Sequence, residues 1–189
     1  MARNKRYTVK YKRKLNKKTD YRQRRILLAS KKPRLIIRKS LKNLTAQLAT
    51  FEKKGDKVIA TVTTAELKKL GWNYSNNLAT AYLLGLLIGK KAEKNNIKEA
   101  ILDLGLLPST KGSKIYSVMK GAIDAGLKVP HNKNVLPPED RLHGKHIAAY
   151  AESLKSDQNR LRRQFSEKKD DPLKISEKLK EIKAKILGK

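Results

Sequence analysis

The 189-residue sequence predicts an α/β layered domain with a mixed sheet, set between a basic N-terminal arm and a helical C-terminal extension. Three observations lead there. Short apolar or alternating runs between residues 33 and 62 have strand character. Longer patterns of helical period alternate with further strand-like runs from residue 76 onward, as layered α/β chains do. The excess of positive charge is densest at the two ends.

The arm comes first. Residues 1–25 hold Arg3, Lys5, Arg6, Lys10, Lys12, Arg13, Lys14, Lys17, Lys18, Arg22, Arg24 and Arg25 against Asp20 alone. A like-charged block of this kind cannot bury itself, so it is expected to be disordered alone and to act as an interaction arm. Residues 26–135 are expected to form the core. Pro33 to Lys39 carries the apolar run Leu35, Ile36 and Ile37. Leu44 to Phe51 alternates Leu44, Ala46 and Leu48 with Thr45, Gln47 and Ala49, and Val58 to Val62 resumes the pattern after a turn at Gly55-Asp56. These three runs predict an antiparallel meander.

Thr63 to Leu70 predicts a short helix stopped at Gly71. Asn76 to Lys94 predicts a long one, on which Ala81, Gly85 and Gly89 recur every four residues, flanked by Leu78, Tyr82 and Leu86. A face of such small side chains is expected to approach a sheet closely. Lys98 to Leu104 predicts a buried central strand carrying Asp103. Ser113 to Ala125 predicts a second helix, with Ile115, Val118, Met119 and Ala122 inward and Gly126 as its stop. Leu127 to Pro130 predicts a short last strand. Residues 136–189 make the extension. There Asp171-Pro172 reads as N-cap and first-turn proline, followed by the apolar stripe Ile175, Leu179, Ile182 and Ile186 and the i,i+4 pair Glu181 and Lys185. That stripe is expected to pack on its own domain or on a neighbouring protein.

Charge limits the partners. With 46 Lys and Arg against 17 Asp and Glu, the formal net charge is +29. Self-repulsion on that scale opposes compaction unless a polyanion neutralises it. Anionic membrane is the weaker choice, because the longest apolar stretch, Leu78 to Gly89, falls short of the ~20 residues a span needs. No apolar segment follows the basic first residues, so a secretory signal is not expected, and the Lys-rich start does not suit an organellar presequence. Cysteine is absent, which removes disulfides, thiol chemistry and Cys-based zinc sites. The expected compartment is the cytoplasm, and the expected partner is nucleic acid.

The candidate contact residues follow. In the arm, Tyr7, Tyr11 and Tyr21 interleave with the cations; a cation meets phosphate and releases counterions, while a ring stacks on an exposed base. Arg34, Arg38 and Lys39 on the first strand offer phosphates a surface. Lys111-Gly112-Ser113-Lys114 stands before the second helix, where free N–H groups and lysines suit an anion. A nucleotide-binding P-loop has four residues between its glycines, then Lys-Ser/Thr. Here six separate Gly105 from Gly112, and Ser113-Lys114 is reversed. His131, His143 and His146 lack the convergent ligands of a metal site. Asp103 alone does not make the carboxylate cluster of a two-metal nuclease. No catalytic residue, metal, cofactor or small-molecule substrate is expected. At 5% aromatic content, the sequence also lacks the stacking strands of an RNA-recognition motif.

Several stretches, in order, resemble the universal L-eighteen family of large-subunit ribosomal proteins in its archaeal form. They are Thr19-Asp20-Tyr21 with Arg22, Arg24 and Arg25; Lys32-Pro33-Arg34-Leu35; Arg38-Lys39-Ser40; Ala46-Gln47-Leu48; and Gly112-Ser113-Lys114. Lys120-Gly121-Ala122, Asp124-Ala125-Gly126-Leu127, Pro130-His131-Asn132, Gly144 and His146-Ile147-Ala148 continue the series. The resemblance covers most of residues 3–151 and fades beyond Ala151. It implies a ribonuclease H-like topology without nuclease function, binding to 5S rRNA, contact with 23S rRNA and with neighbouring large-subunit proteins, and a place in the central protuberance. It also implies RNA contact by the arm and by Arg38, Lys39, Ser40 and Gln47. Where the family often has Asn-Lys-His, this sequence has Leu41-Lys42-Asn43, which retains Lys42.

Overall fold

The computed structural model describes residues 9–74, 76–154, 165 and 171–188. Two short helices open it, α1 (Lys12–Leu15) and α2 (Tyr21–Ala29). Three strands follow: β1 (Arg34–Lys39), β2 (Leu44–Glu52) and β3 (Gly55–Thr63). After them come α3 (Thr64–Lys69), α4 (Leu78–Lys94), β4 (Ile101–Asp103), α5 (Lys114–Asp124), α6 (Glu139–Leu142), α7 (Lys145–Ser153) and α8 (Ile175–Leu187).

The sheet is mixed, in the order β3-β2-β1-β4. β1 pairs antiparallel with β2 and parallel with β4, while β2 and β3 form an antiparallel hairpin. The meander therefore forms where alternation predicts it. Its tight turn is Lys53-Lys54, with Glu52 opposite Gly55, and not Gly55-Asp56. The glycine is needed one place later, where the backbone takes φ +148° as β3 begins. Asp56 is thereby a strand residue whose side chain can reach across the sheet.

One face of the sheet is the core face. Leu35, Ile37, Leu44, Ala46, Leu48, Ala60 and Val62 are buried there, and α4 packs on them through β2 and β3. Each of these leucine, isoleucine and valine side chains contributes ~1.5–3 kcal/mol by leaving water. α4 starts where the Asn77 side chain accepts from Thr80 N–H, and its Leu83, Leu84, Leu86 and Ile88 are fully buried. Trp72 closes the end of this core, donating from Nε1 to Thr80 Oγ1 at 2.8 Å.

The small-residue face of α4 meets α5 and not the sheet. A Cβ on Gly85 would stand 2.1 Å from the Val118 carbonyl oxygen, and one on Gly121 would stand 2.2 Å from the Tyr82 carbonyl oxygen. The two glycines let the helix backbones touch, a contact that spacing within one helix does not reveal. β4 is shorter than predicted and lies at the sheet edge, so Asp103 is on an edge strand and not a central one. Leu127 to Pro130 does not form a strand: only an isolated bridge joins Lys128 to Glu99. Its ties are the hydrogen bonds of Ala100 N–H to the Lys128 carbonyl and of Lys128 N–H to the Lys98 carbonyl, before β4 begins.

The C-terminal stripe packs on its own domain. Asp171 caps the turn with Pro172 in its first positions, and Ile175, Leu179 and Ile182 are buried as α8 crosses α4 and α7. Lys183 Nζ donates to Tyr82 Oη at 3.1 Å, and Ser176 Oγ donates to the His143 carbonyl at 3.0 Å. Tyr82 in turn donates to Asp124 of α5 at 2.9 Å. Burial, then that carboxylate, pushes its phenol above the ordinary value. The extension and the helix layer thus share one polar knot at the base of α4.

Candidate nucleic-acid interface

The opposite face of the sheet is polar and lies beneath the arm. In register, Ile36 faces Gln47 and Asp103, and Arg38 faces Thr45. The described part of the arm holds α1 and the first half of α2. Asp20 accepts from the N–H groups of Arg22 and Gln23 and so caps α2, and Arg13 Nε donates to Thr19 Oγ1 at 2.9 Å. Arg24 then makes a bidentate pair with Asp56, at 2.9 and 2.8 Å. A carboxylate of the sheet offsets the arm's self-repulsion at the point of attachment. α2 continues past residue 25 to Ala29. Arg3, Lys5, Arg6 and Tyr7 lie outside the described residues.

Beneath α2 a chain of charges crosses the sheet. Arg34 Nη1 donates to Asp103 Oδ2 at 3.0 Å. Its Nη2 lies 2.7 Å from Asp56 Oδ1, an ion contact without hydrogen-bond geometry. Arg38 Nη1 donates to the carbonyls of Ile37 and Asp103, and Nη2 approaches Asp103 Oδ1 at 3.3 Å. Gly105 fits here because a Cβ would stand 3.0 Å from the Arg38 guanidinium and its φ is +60°.

Arg34 is 1% exposed, so the expectation that it offers phosphates a surface is corrected. Two carboxylates already surround it, and a buried charge of this kind persists only when paired. Arg38, half-exposed, presents its outer edge instead. Residues Arg13, Lys18, Arg24 and Arg38 line a cleft of about 250 Å³ together with Gln47, Gly105 and the two carboxylates. Gln47 also donates to Thr61 Oγ1 at 3.3 Å.

A second group forms at the carboxyl ends of the parallel strands β1 and β4, where open α/β sheets bind their ligands. Lys39 ends β1, and Lys114 opens α5 after the loop from β4. Desolvation, then the charge of Lys39, holds the Lys114 ammonium below its ordinary value. Gly112 takes φ +66° and donates its N–H to the Val135 carbonyl at 2.9 Å. Ser113 stands at the N-cap position without capping, and its hydroxyl oxygen is buried with no hydrogen-bond partner. Ser40 is occupied locally, its hydroxyl bonding Asn43 on both sides of the β1–β2 turn. Lys42 and Lys111 are exposed.

The histidines take local roles. Nδ1 of His131 lies 2.8 Å from the Val129 carbonyl, and Nδ1 of His143 lies 2.9 Å from that of Glu139. Among the described residues, no three His, Asp or Glu side chains gather as a metal site. No helix of the described residues is long and apolar enough to cross a membrane. Sequence reasoning missed α2 and the part played by Asp56. Asp20 followed by Arg22-Gln23-Arg24-Arg25, all good helix formers, is a legible start signal. Asp56 had none, because its partners are 32 and 22 positions away.

Asp56 makes stability depend on acid. Burial would raise its pKa; the hydrogen bonds of Arg24 and the close contact of Arg34 outweigh that and hold it below the ordinary 3.8. A depressed carboxylate contributes stability that is fully present above its unfolded value and is lost as pH falls through the folded one. Urea midpoints are therefore expected to drop below about pH 4. In Asp56→Asn this acid-dependent loss should be smaller, from a lower starting stability at neutral pH. An identical acid profile in both proteins would refute the role of Asp56.

A cationic arm pinned to the open face of a mixed sheet, with its helices on the other face, describes a chain that displays charge to a partner. The chain belongs to the family of ribosomal large-subunit proteins 60S L5 and 50S L18, whose model matches residues 5–98 and 91–132. Over the full length of both chains it is 48% identical to the large ribosomal subunit protein uL18 of the archaeon Methanococcus maripaludis. It is thus of a structural, ribosomal kind, a constituent of the large subunit.

Proposed function

We propose that the chain binds 5S rRNA, helps attach it to 23S rRNA, and stands in the central protuberance against neighbouring large-subunit proteins. One observation carries this reading: arm and sheet converge their cations on a single cleft, with Arg13, Lys18, Arg24 and Arg38 around Gln47. Neutralising such a cluster favours a polyanion of fixed shape over a flexible one, because the positions of the cations are set by the Arg24–Asp56 and Arg38–Asp103 contacts. Lys10, Lys12, Lys14, Lys17, Arg22 and Arg25 are exposed on the arm, and of the candidate cations beyond it Lys39, Lys42 and Lys111 are exposed and Lys114 is half-buried. A chain that merely compacts DNA needs charge but no ordered arm and no paired cleft. An RNA-modifying enzyme needs an acid/base or cofactor constellation, whereas in the cleft Asp56 and Asp103 are paired with arginines and Asp20 caps α2.

The test is a gel-shift series against 5S rRNA and tRNA. With 6–10 phosphate contacts, affinity is expected to fall by roughly 10³–10⁵ between 50 and 200 mM salt, on the duplex scale. Preference for 5S rRNA should persist at moderate salt. Equal affinity for both RNAs there would remove the assignment.

A further inference from the structure

Resting on the 5S rRNA reading, we infer that the arm holds a built slot for one unstacked base of its RNA, between Tyr11, just before α1, and α2. An open cleft of about 570 Å³ lies there, lined by Tyr11, Tyr21, Arg22, Arg24, Arg25 and Leu28. That is ample for a nucleobase. The Tyr11 and Tyr21 rings touch at 4.8 Å between centroids, tilted by 37°. Tyr11 is 69% exposed, so one aromatic ring braces another whose face is open to solvent.

The slot is held in place before any ligand arrives. Tyr21 follows the Asp20 cap directly, and Arg24, on the wall, is fixed by both carboxylate oxygens of Asp56. Arg22 and Arg25 are exposed on the same helix, where one guanidinium can meet the phosphate of a nucleotide whose base enters the slot. Val9, Leu15 and Ile26 around these helices are also 74%, 59% and 66% exposed, an apolar surface that a solvated tail does not need. Base–aromatic stacking is sequence-tolerant because every base has a π-face. A paired A-form helix keeps its bases stacked and its major groove closed to side chains, so the ligand is an unpaired nucleotide.

Charge chooses RNA over a protein partner. Residues 9–25 carry Lys10, Lys12, Arg13, Lys14, Lys17, Lys18, Arg22, Arg24 and Arg25 against Asp20. Protein interface cores are depleted in lysine, whereas a stacking platform beside a cationic track is the pattern of single-strand binding.

The experiment uses the full chain with Tyr11→Ala and Tyr11→Phe. Three probes are titrated: a 5S rRNA transcript, a short mixed-sequence single-stranded RNA and a fully paired RNA duplex. Tyr11→Ala should weaken the first two by roughly tenfold, spare the duplex to within about twofold, and leave the salt slope unchanged; Tyr11→Phe should bind as the native chain does. No loss with Tyr11→Ala, equal loss on the duplex, or a changed salt slope would each overturn the slot. Intact RNA affinity with loss of a large-subunit protein from the assembled particle would also overturn it, in favour of a protein ligand. Failure of the 5S reading shows separately, as a native chain without preference for 5S rRNA over tRNA, whatever Tyr11 does to the single strand.

Discussion

A chain beginning at Thr19 is expected to fold as the intact protein does and to lose about 10³-fold in 5S rRNA affinity at 0.15 M salt. The segment removed holds nine cations, Arg3, Lys5, Arg6, Lys10, Lys12, Arg13, Lys14, Lys17 and Lys18, and no carboxylate. If four of them sit on phosphates, the double-logarithmic salt slope flattens by roughly 3–4, which gives that loss. The cut is placed where the structure allows it. Asp20 still caps α2, and Arg24 still pairs with Asp56; the cut removes the Arg13–Thr19 hydrogen bond and the Tyr11–Tyr21 ring contact. A cut after residue 25 would instead remove Arg24 and half of α2, leaving Asp56 and Arg34 to a looser pairing. Circular dichroism and thermal melting check the fold, and gel shifts at several salt concentrations check the slope. An unchanged slope would mean that the arm does not touch the RNA; a collapsed melting transition would mean that it serves the core.

The second large effect falls on the core. Gly85→Ala is expected to destabilise the protein by about 2 kcal/mol. Alanine gains about 1 kcal/mol over glycine in a helix interior. Against that, the new methyl group would stand 2.1 Å from the Val118 carbonyl oxygen and 2.9 Å from the Gly121 Cα, both backbone atoms that cannot rotate away. Forcing α4 and α5 apart costs about 3 kcal/mol or more. The melting temperature should fall by about 4–8 °C for a chain of this size. Gly121→Ala should behave alike, since its methyl group would meet the Tyr82 carbonyl oxygen at 2.2 Å. A melting temperature that rises in either variant would show that propensity wins and that the helices do not pack at this distance.

These two experiments divide along the line between what is local in the sequence and what is not. The strands of the meander, the helices α4 and α5, and the stripe Ile175, Leu179 and Ile182 were legible because hydrophobic period is a property of neighbours along one segment. So was the cationic arm, because charge density needs no fold. The family resemblance was legible too, as an ordered series of short matches. The burial of Arg34 was not: a charged residue is expected at the surface, yet it is 1% exposed between Asp56 and Asp103.

By itself, then, the sequence determined which segments pair or coil, which faces are apolar, and where positive charge is stored. The tertiary structure alone decided that the small face of α4 meets Gly121, that Arg34 is buried between Asp56 and Asp103, and that Arg24 is pinned to the sheet by Asp56. The physical reason is distance along the chain. Contacts such as Arg34 with Asp103, 69 positions apart, depend on register and on parallel pairing of β1 with β4, and no period within either segment encodes them.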